Sequence, residues 1–295
     1  MIVIGSRGSQ LALWQARHIA ARLAELGEET RIEIIKTTGD KIQDVPLAQV
    51  GGKGLFTKEI EEALLDRRID LAVHSLKDMP ADVPEGLAIT AIPEREDPRD
   101  ALLGAPLAAG IRVGTSSLRR SAQLNALGIG IKIEMLRGNV DTRIRKLDEG
   151  QYDAIILAAA GLRRLGLADR IRETLPMEVM CPAVGQGALA IETRCDGGHA
   201  EAIAEKLDHS ETRITVTAER ALLAALGGGC QVPVGGHAVL RDGQVHVRAL
   251  VASPDGSRII RGELSGTHPG VVGGTLGLKL LDQGAREILR EVYAA

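Results

Sequence analysis

The chain has 295 residues, of which 44% are hydrophobic and 25% charged, with a formal net charge of −3. That length suits two or three domains, and the near-neutral charge excludes an overall field that would draw in nucleic acid. Aromatic residues are only 1% and the three cysteines are irregularly spaced, so the cores must be aliphatic and a disulfide framework is excluded.

Residues 1–5 predict a short buried strand, too short for the apolar region of a signal peptide and running straight into Arg7. Ser9 can then cap a helix in which Leu11, Trp14, Ile19, Leu23 and Leu26 follow helical spacing up to Gly27. A strand over 31–36 comes next. Residues 39–54 are polar, glycine-containing and aperiodic, a candidate mobile loop. A helix over 57–66, a strand over 69–73, a loop from His74 and a strand over 87–92 complete this part. The charged, proline-bracketed stretch 93–100 marks a first boundary.

Beyond it the alternation restarts, with strands over 111–114, 131–135 and 153–158 and helices near 117–127 and 140–147. Such alternation implies an α/β protein with parallel, doubly wound sheets, here two lobes around a cleft. Residues 182–187 form a second crossing, after which 188–192 can return as a strand to the first lobe. From Cys230 the pattern changes to period two over 232–240, 245–252 and 258–264, with Asp242-Gly243 and Asp255-Gly256 as hairpin turns. A helix over 275–292 follows. The expected domains are therefore 1–93 with 188–206, then 99–181, and a small α+β C-terminal domain over 210–295 with a three-stranded antiparallel sheet.

Three segments carry chemistry. Between Arg112 and Arg172 twelve cations face six anions, although the whole chain is slightly acidic. Gly114-Thr115-Ser116-Ser117-Leu118-Arg119-Arg120 and Leu136-Arg137-Gly138-Asn139-Val140-Asp141-Thr142-Arg143 both place hydroxyls or arginines where a loop leaves a strand and enters a helix. Ligands of open α/β sheets bind at such strand ends, and guanidinium groups grip carboxylates or phosphates in pairs of hydrogen bonds. A polyanionic ligand is expected there, against the alternative of a solvated basic face.

His74-Ser75-Leu76-Lys77-Asp78-Met79-Pro80 follows a buried strand in the first lobe. Lys77 favours an ionised Asp78, which in an arginine-lined site must face something cationic or N–H-bearing. A loop cap or surface ion pair is the plainer reading. The third segment is Gly227-Gly228-Gly229-Cys230-Gln231-Val232-Pro233, where glycines clear the approach to a sulfur and permit positive φ. Cys230 reads as an attachment point or nucleophile, whereas Cys181 and Cys195 read as buried structural thiols. No metal is expected, since seven scattered histidines and three cysteines have no ligand spacing. Gly51-Gly52-Lys53-Gly54 lacks the order of a P-loop.

These segments, with Arg7-Gly8-Ser9-Gln10-Leu11-Ala12-Leu13-Trp14, the glycine-rich stretch over 50–56, the stretch over 94–100 and that over 183–187, together resemble the porphobilinogen deaminase (hydroxymethylbilane synthase) family nearly end to end. The resemblance implies two lobes like periplasmic-binding-protein domains. It implies a transferase of haem and porphyrin biosynthesis that condenses four porphobilinogen molecules head to tail into linear hydroxymethylbilane, releasing ammonia each time. Each pyrrole carries an acetate and a propionate. By resemblance, Arg7, Arg119, Arg120, Arg137, Arg143 and Arg164 bind those carboxylates, Ser9, Lys53, Lys77 and Ser117 assist, and Asp78 is the catalytic carboxylate. Cys230 matches the cysteine that holds a dipyrromethane cofactor by a thioether. The family often has an acidic residue at the position of Gly227 and Lys at that of Gln49.

The alternatives are a non-catalytic two-lobed anion-binding protein and a cysteine-nucleophile transferase with no tethered cofactor. Ammonia production from porphobilinogen separates both from the family reading. A cytoplasmic monomer is expected, with the small molecule porphobilinogen as its partner and neither nucleic acid nor membrane.

Overall fold

A computed structural model describes residues 1–41, 54–228 and 232–294. Lys53, Gln49, Cys230 and most of the candidate mobile loop over 39–54 lie outside the described residues. The chain forms two compact units, Met1–Glu96 with Gly187–Arg213 and Asp97–Gln186 with Ile214–Ala295. In chain order the strands are β1 (Ile2–Ser6), β2 (Thr30–Ile34), β3 (Leu71–Ser75), β4 (Leu87–Ala91), β5 (Asp100–Gly104), β6 (Arg112–Gly114), β7 (Lys132–Glu134), β8 (Ala154–Ala158), β9 (Glu173–Thr174), β10 (Leu189–Arg194), β11 (Val234–Arg241), β12 (Gln244–Ala252) and β13 (Ile259–Gly266).

The first unit is a five-stranded sheet in the order β2-β1-β3-β10-β4. Its inner strands β3 and β10 open on the aliphatic runs Leu71-Ala72-Val73 and Leu189-Ala190-Ile191, as strands covered on both faces do, whereas the edge strand β2 carries Arg31 and Glu33. Ile2, Ile4, Leu71, Val73 and Ile191 pack with Ile19 and Leu23 of the helix Gln10–Glu25. On another core, Ile69 and Ala72 meet Ile60 and Leu64 of the helix Lys58–Leu65. The sequence expectation placed the end of the central strand at Val73. β3 instead runs to Ser75, so His74 is a buried strand residue rather than the start of a loop.

The second unit contains two sheets. One has the order β7-β6-β8-β5-β9, which is the pattern of the first unit's sheet with β5 in the place of β10. The other is the three-stranded antiparallel sheet β11-β12-β13, as expected. Contrary to the expectation of parallel sheets, both five-stranded sheets are mixed. β10 is antiparallel to β3 and β4, and β5 is antiparallel to β8 and β9. Each of these two strands follows a crossing segment with no helix, and the helical crossover is what a parallel connection requires. The returning strand expected over 188–192 is β10, whereas β5, which starts at the last residue of the boundary stretch, was not expected.

The C-terminal sheet packs Val245, Val247 and Val251 against Leu276, Leu280 and Leu289. The turn at Asp242-Gly243 has positive φ at both residues (51° and 72°), the hairpin geometry its sequence predicts. At Gly256 a side chain would lie 2.5 Å from the Ala122 carbonyl, so glycine is what lets this turn abut the helix Leu118–Asn125. The single helix expected over 275–292 starts earlier, at Pro269, and breaks at Gly284, whose φ is 108°.

β11 is an edge strand, and its outward amides are not left open. Gly236 N donates to the Pro182 carbonyl at 2.9 Å, and Ala238 N to Glu219 Oε1 at 2.8 Å. Glu219, buried on the helix Ser210–Ala225, also accepts from Gly185 N at 2.7 Å.

Candidate active site

In the first unit the expected residues gather at the C-terminal ends of β1 and β3, which pair directly in parallel. Arg7 is the first residue past β1, and its guanidinium lies 4.1 Å from the centre of the Phe56 ring, close enough for cation–π attraction. Ser9 occupies the N-cap of the helix Gln10–Glu25, its hydroxyl accepting from Ala12 N at 3.3 Å. A hydroxyl so used retains its own proton to donate.

β3 passes directly into the 3₁₀ turn Leu76–Asp78. Leu76 and Met79 are buried, so the turn is pinned on either side while Lys77 is half-buried and Asp78 projects into solvent. Gln15 Nε2 donates to Ser75 Oγ at 2.8 Å, tying the base of this turn to the first helix.

In the second unit the basic residues follow three neighbouring parallel strands, β7, β6 and β8. After β6, Thr115 Oγ accepts from Ser117 N at 3.2 Å, and Ser117 occupies the N-cap of the helix Leu118–Asn125 without a side-chain capping bond. After β7 come Leu136, Arg137 and Gly138, the last with φ 113°. Arg143 Nε donates to the Gly138 carbonyl at 2.7 Å and so braces the loop that carries Arg137. Arg137 Nη1 is buried with no hydrogen-bond partner among the described residues. After β8, Arg164 ends the short helix Ala159–Arg164.

Arg119 and Arg120, expected as groups that grip a polyanion, are already engaged within the protein. Both are buried, at 4% and 5% exposure, around a fully buried Asp100. Arg119 Nη1 is 2.8 Å from Asp100 Oδ2 and Arg120 Nη2 is 2.6 Å from Oδ1. Arg120 also donates to the Ile156 carbonyl at 3.0 Å, and Gln186 Nε2 to Asp100 Oδ1 at 3.0 Å. Burial would push the Asp100 carboxyl up, but the two guanidinium charges hold it well below the usual carboxylate range. Burial likewise draws the Arg120 guanidinium down. One carboxylate thus faces two cations, leaving a surplus of positive charge.

Sequence reasoning missed Asp100, His74, Glu192 and Glu219. Asp100 sat in a charged run read only as a boundary. Glu192 carried a signal, since a lone carboxylate in an apolar strand demands a buried partner. That partner is His74, whose Nε2 lies 3.1 Å from Glu192 Oε2. Of the other cysteines, Cys181 is buried as expected, and burial pushes its thiol up to about 12. Cys195 is exposed, contrary to expectation, because it follows the end of β10. Gly227 and Gly228 have φ of 87° and 40°, the left-handed geometry expected on the approach to Cys230, and a side chain at 227 would meet open space. Among the described residues no group of His, Cys, Asp and Glu could hold a metal ion, and no helix is long and apolar enough to cross a membrane.

Residues 2–202 match the family described as "Porphobilinogen deaminase, dipyromethane cofactor binding domain". Residues 213–282 match "Porphobilinogen deaminase, C-terminal domain". A protein of Syntrophobacter fumaroxidans named "Porphobilinogen deaminase" is 52% identical over 305 aligned positions, covering 100% of this chain and 99% of that one. Among solved structures, a periplasmic substrate-binding protein of an ABC transporter from Coxiella burnetii is 13% identical, with a TM-score of 0.44 over 75% of this chain and 97% of that one. The second substrate binding domain of a putative amino acid ABC transporter from Streptococcus pneumoniae is 14% identical, with a TM-score of 0.41 over 77% and 95%. Likenesses at those scores carry no inference.

Proposed function

The chain belongs to the porphobilinogen deaminase family, and from that premise we propose how its own residues carry out the family's reaction. It is a transferase of tetrapyrrole biosynthesis that makes hydroxymethylbilane from porphobilinogen, and its first 200 or so residues include a dipyrromethane cofactor-binding domain.

The second unit fits such a cofactor. Each pyrrole brings carboxylates, and the buried Arg119–Asp100–Arg120 group has one more cation than anion. Arg137 Nη1, buried and unpartnered among the described residues, is a donor with a place for an acceptor. This excess of fixed positive charge is the observation that carries the reading. Arg119, Arg120, Arg137, Arg143 and Arg164 hold acetate and propionate groups, with the uncommitted Ser117 hydroxyl assisting. Cys230 holds the dipyrromethane through a thioether. Gly227, in place of the family's frequent acidic residue, accepts the left-handed backbone before the sulfur without strain. When bound, the dipyrromethane supplies the free pyrrole α-carbon to which the first substrate unit is joined.

In the first unit Arg7, Ser9, Lys53 and Lys77 bind the incoming porphobilinogen's carboxylates. Loss of ammonia from porphobilinogen leaves a cation spread over its ring, and Asp78 stabilises it as a fixed carboxylate at the pyrrole N–H. The same carboxylate helps move the proton that must leave the α-carbon after the new bond forms. After four additions, water cleaves the bond between the new chain and the dipyrromethane and supplies the hydroxyl of the linear product, leaving the dipyrromethane on the protein. The three-domain division read from the sequence stands as part of this proposal, with Asp78 on the first lobe, the arginines on the second and Cys230 on the third. The enzyme is placed in the cytoplasm as a monomer. Two free cysteines, Cys181 and Cys195, suit a reducing compartment, and one chain carries every group the reaction uses.

The test is the intact mass of the denatured protein beside Cys230→Ser, both after exposure to porphobilinogen. Extra mass of two linked pyrrole units in the wild type and none in the variant is the expected result. An unmodified wild type, or an adduct that survives the substitution, would remove Cys230 as the tether.

A further inference from the structure

On the strand that leads into the Asp78 turn and on its neighbour, the first unit buries two ionisable side chains to which the proposed function gives no part. His74 is 6% exposed and Glu192, on the neighbouring β10, is 0% exposed. Their 3.1 Å contact crosses the two strands diagonally, because His74 stands opposite Ala190 and Glu192 opposite Ala72. Glu192 Oε1 has no hydrogen-bond partner among the described residues, and Oε2 meets the imidazole.

Apolar packing alone would hold these strands together. It would not forbid a one-residue slip as firmly, since the runs Leu71-Ala72-Val73 and Leu189-Ala190-Ile191 are apolar at every position and both faces of the sheet are covered. A slip would carry His74 to the opposite face and leave Glu192 as a buried charge without its partner, a costly state. The Asp78 turn depends on this register. Leu76 N, at its start, donates to the Ala188 carbonyl at 3.0 Å, just ahead of the Ser75–Leu189 pair of β3 and β10. A shift of β3 therefore becomes a shift of Asp78.

We propose that His74 and Glu192 are positioning residues that lock the β3–β10 register and thereby fix Asp78 for the condensation. The inference rests on the reading of Asp78 as the catalytic carboxylate. It requires that the pair act on the rate of the chemical step rather than on stability or binding alone.

The decisive variant replaces both partners, His74→Leu with Glu192→Leu, which leaves no unpaired buried charge and so need not destabilise the fold. Ammonia release from porphobilinogen, urea unfolding and cofactor mass are measured beside the wild type. The expected result is a wild-type unfolding midpoint and cofactor load, KM within about twofold, and kcat lowered roughly 10- to 100-fold, the scale of a small misplacement of a catalytic group. His74→Gln, which keeps an N–H donor near Glu192, should recover most of that loss. A folded double variant with wild-type kcat would overturn the inference. If the double variant does not fold, Glu192→Met decides by the same split, and an unchanged kcat there overturns it too. A wild type that releases no ammonia would instead bring down the enzymatic reading itself, a result distinct from the variants matching an active wild type.

Discussion

Each unit has a buried cluster of charge, and the two clusters are composed in opposite proportions; Glu219, the second unit's other fully buried carboxylate, lies apart at 3.2 Å from His237. In the second, one carboxylate, Asp100, lies between the guanidiniums of Arg119 and Arg120. In the first, one imidazole, His74, is accompanied by two buried carboxylates, Glu192 and Glu61. The difference matters because a guanidinium cannot shed its proton in a protein, whereas a carboxyl can take one up. A surplus of buried arginine in the Asp100 cluster calls for an anion from outside it, the part that the proposed function gives to the pyrrole carboxylates. A surplus of buried carboxylate can neutralise itself. Burial pushes the Glu61 carboxyl up, and the neighbouring Glu192 charge pushes it the same way.

The largest expected effect breaks the arginine side of this contrast. Asp100→Asn leaves two buried guanidiniums with no anion and should cost about 3–5 kcal/mol, the usual penalty for removing one partner of a buried pair. Urea unfolding at neutral pH would measure it. Because the Asp100 carboxyl is depressed in the folded state, its contribution is complete above the ordinary carboxylate value, near 4, and fades only as pH falls through the lower folded value. Variant and wild type should therefore differ throughout the neutral range and converge only in strong acid. A loss below about 1 kcal/mol would mean that the surplus charge is not a buried one.

Next in size is Asp78→Ala, which separates the roles of the two units. Asp78 is exposed and its turn is held by Leu76 and Met79, so its removal should leave folding and cofactor mass unchanged. Turnover should fall by ~10²–10³, or roughly 3–4 kcal/mol in the barrier, as when other charge-stabilising groups are deleted. Ammonia release and intact mass measured on one preparation would check both halves. Loss of the cofactor in this variant would show that the division between the units is wrong.

Much of this arrangement was legible from the sequence because it depends on local pattern. Alternating strands and helices located the sheets, strand-end arginines at 119, 120, 137 and 143 pointed to an anion site, and Arg164 joined them by the family resemblance. Asp242-Gly243 gave its hairpin because two positive-φ residues in a row specify a turn by themselves. What stayed hidden depends on partners distant in the chain. Asp100 binds arginines 19 and 20 residues later, and Glu192 finds His74 across 118. No periodicity encodes such a pairing, and so Arg119 and Arg120 read only as groups for a polyanionic ligand and His74 as the start of a loop. The direction of β10, expected as a strand, and the antiparallel β5 were missed for the same reason: strand direction follows from how the chain crosses, not from strand composition.

The smallest expected effect tests the carboxylate side. Since the folded Glu61 carboxyl is raised, the folded protein binds that proton more tightly than the unfolded chain does, whose Glu titrates near 4.3. The contribution of Glu61 to stability is then largest below that value and falls as pH rises through the higher folded value, where ionised Glu61 is buried beside Glu192. Glu61→Gln keeps the shape of the neutral form and removes the titration. Its stability relative to the wild type should climb across that window by on the order of 1 kcal/mol, the ordinary size of a point-substitution effect, and be level above it. Urea midpoints in steps from roughly pH 4 to 8 would trace the difference. A gap that does not change with pH would show that Glu61 stores no proton, and the first unit would then need an external counter-charge just as the second does.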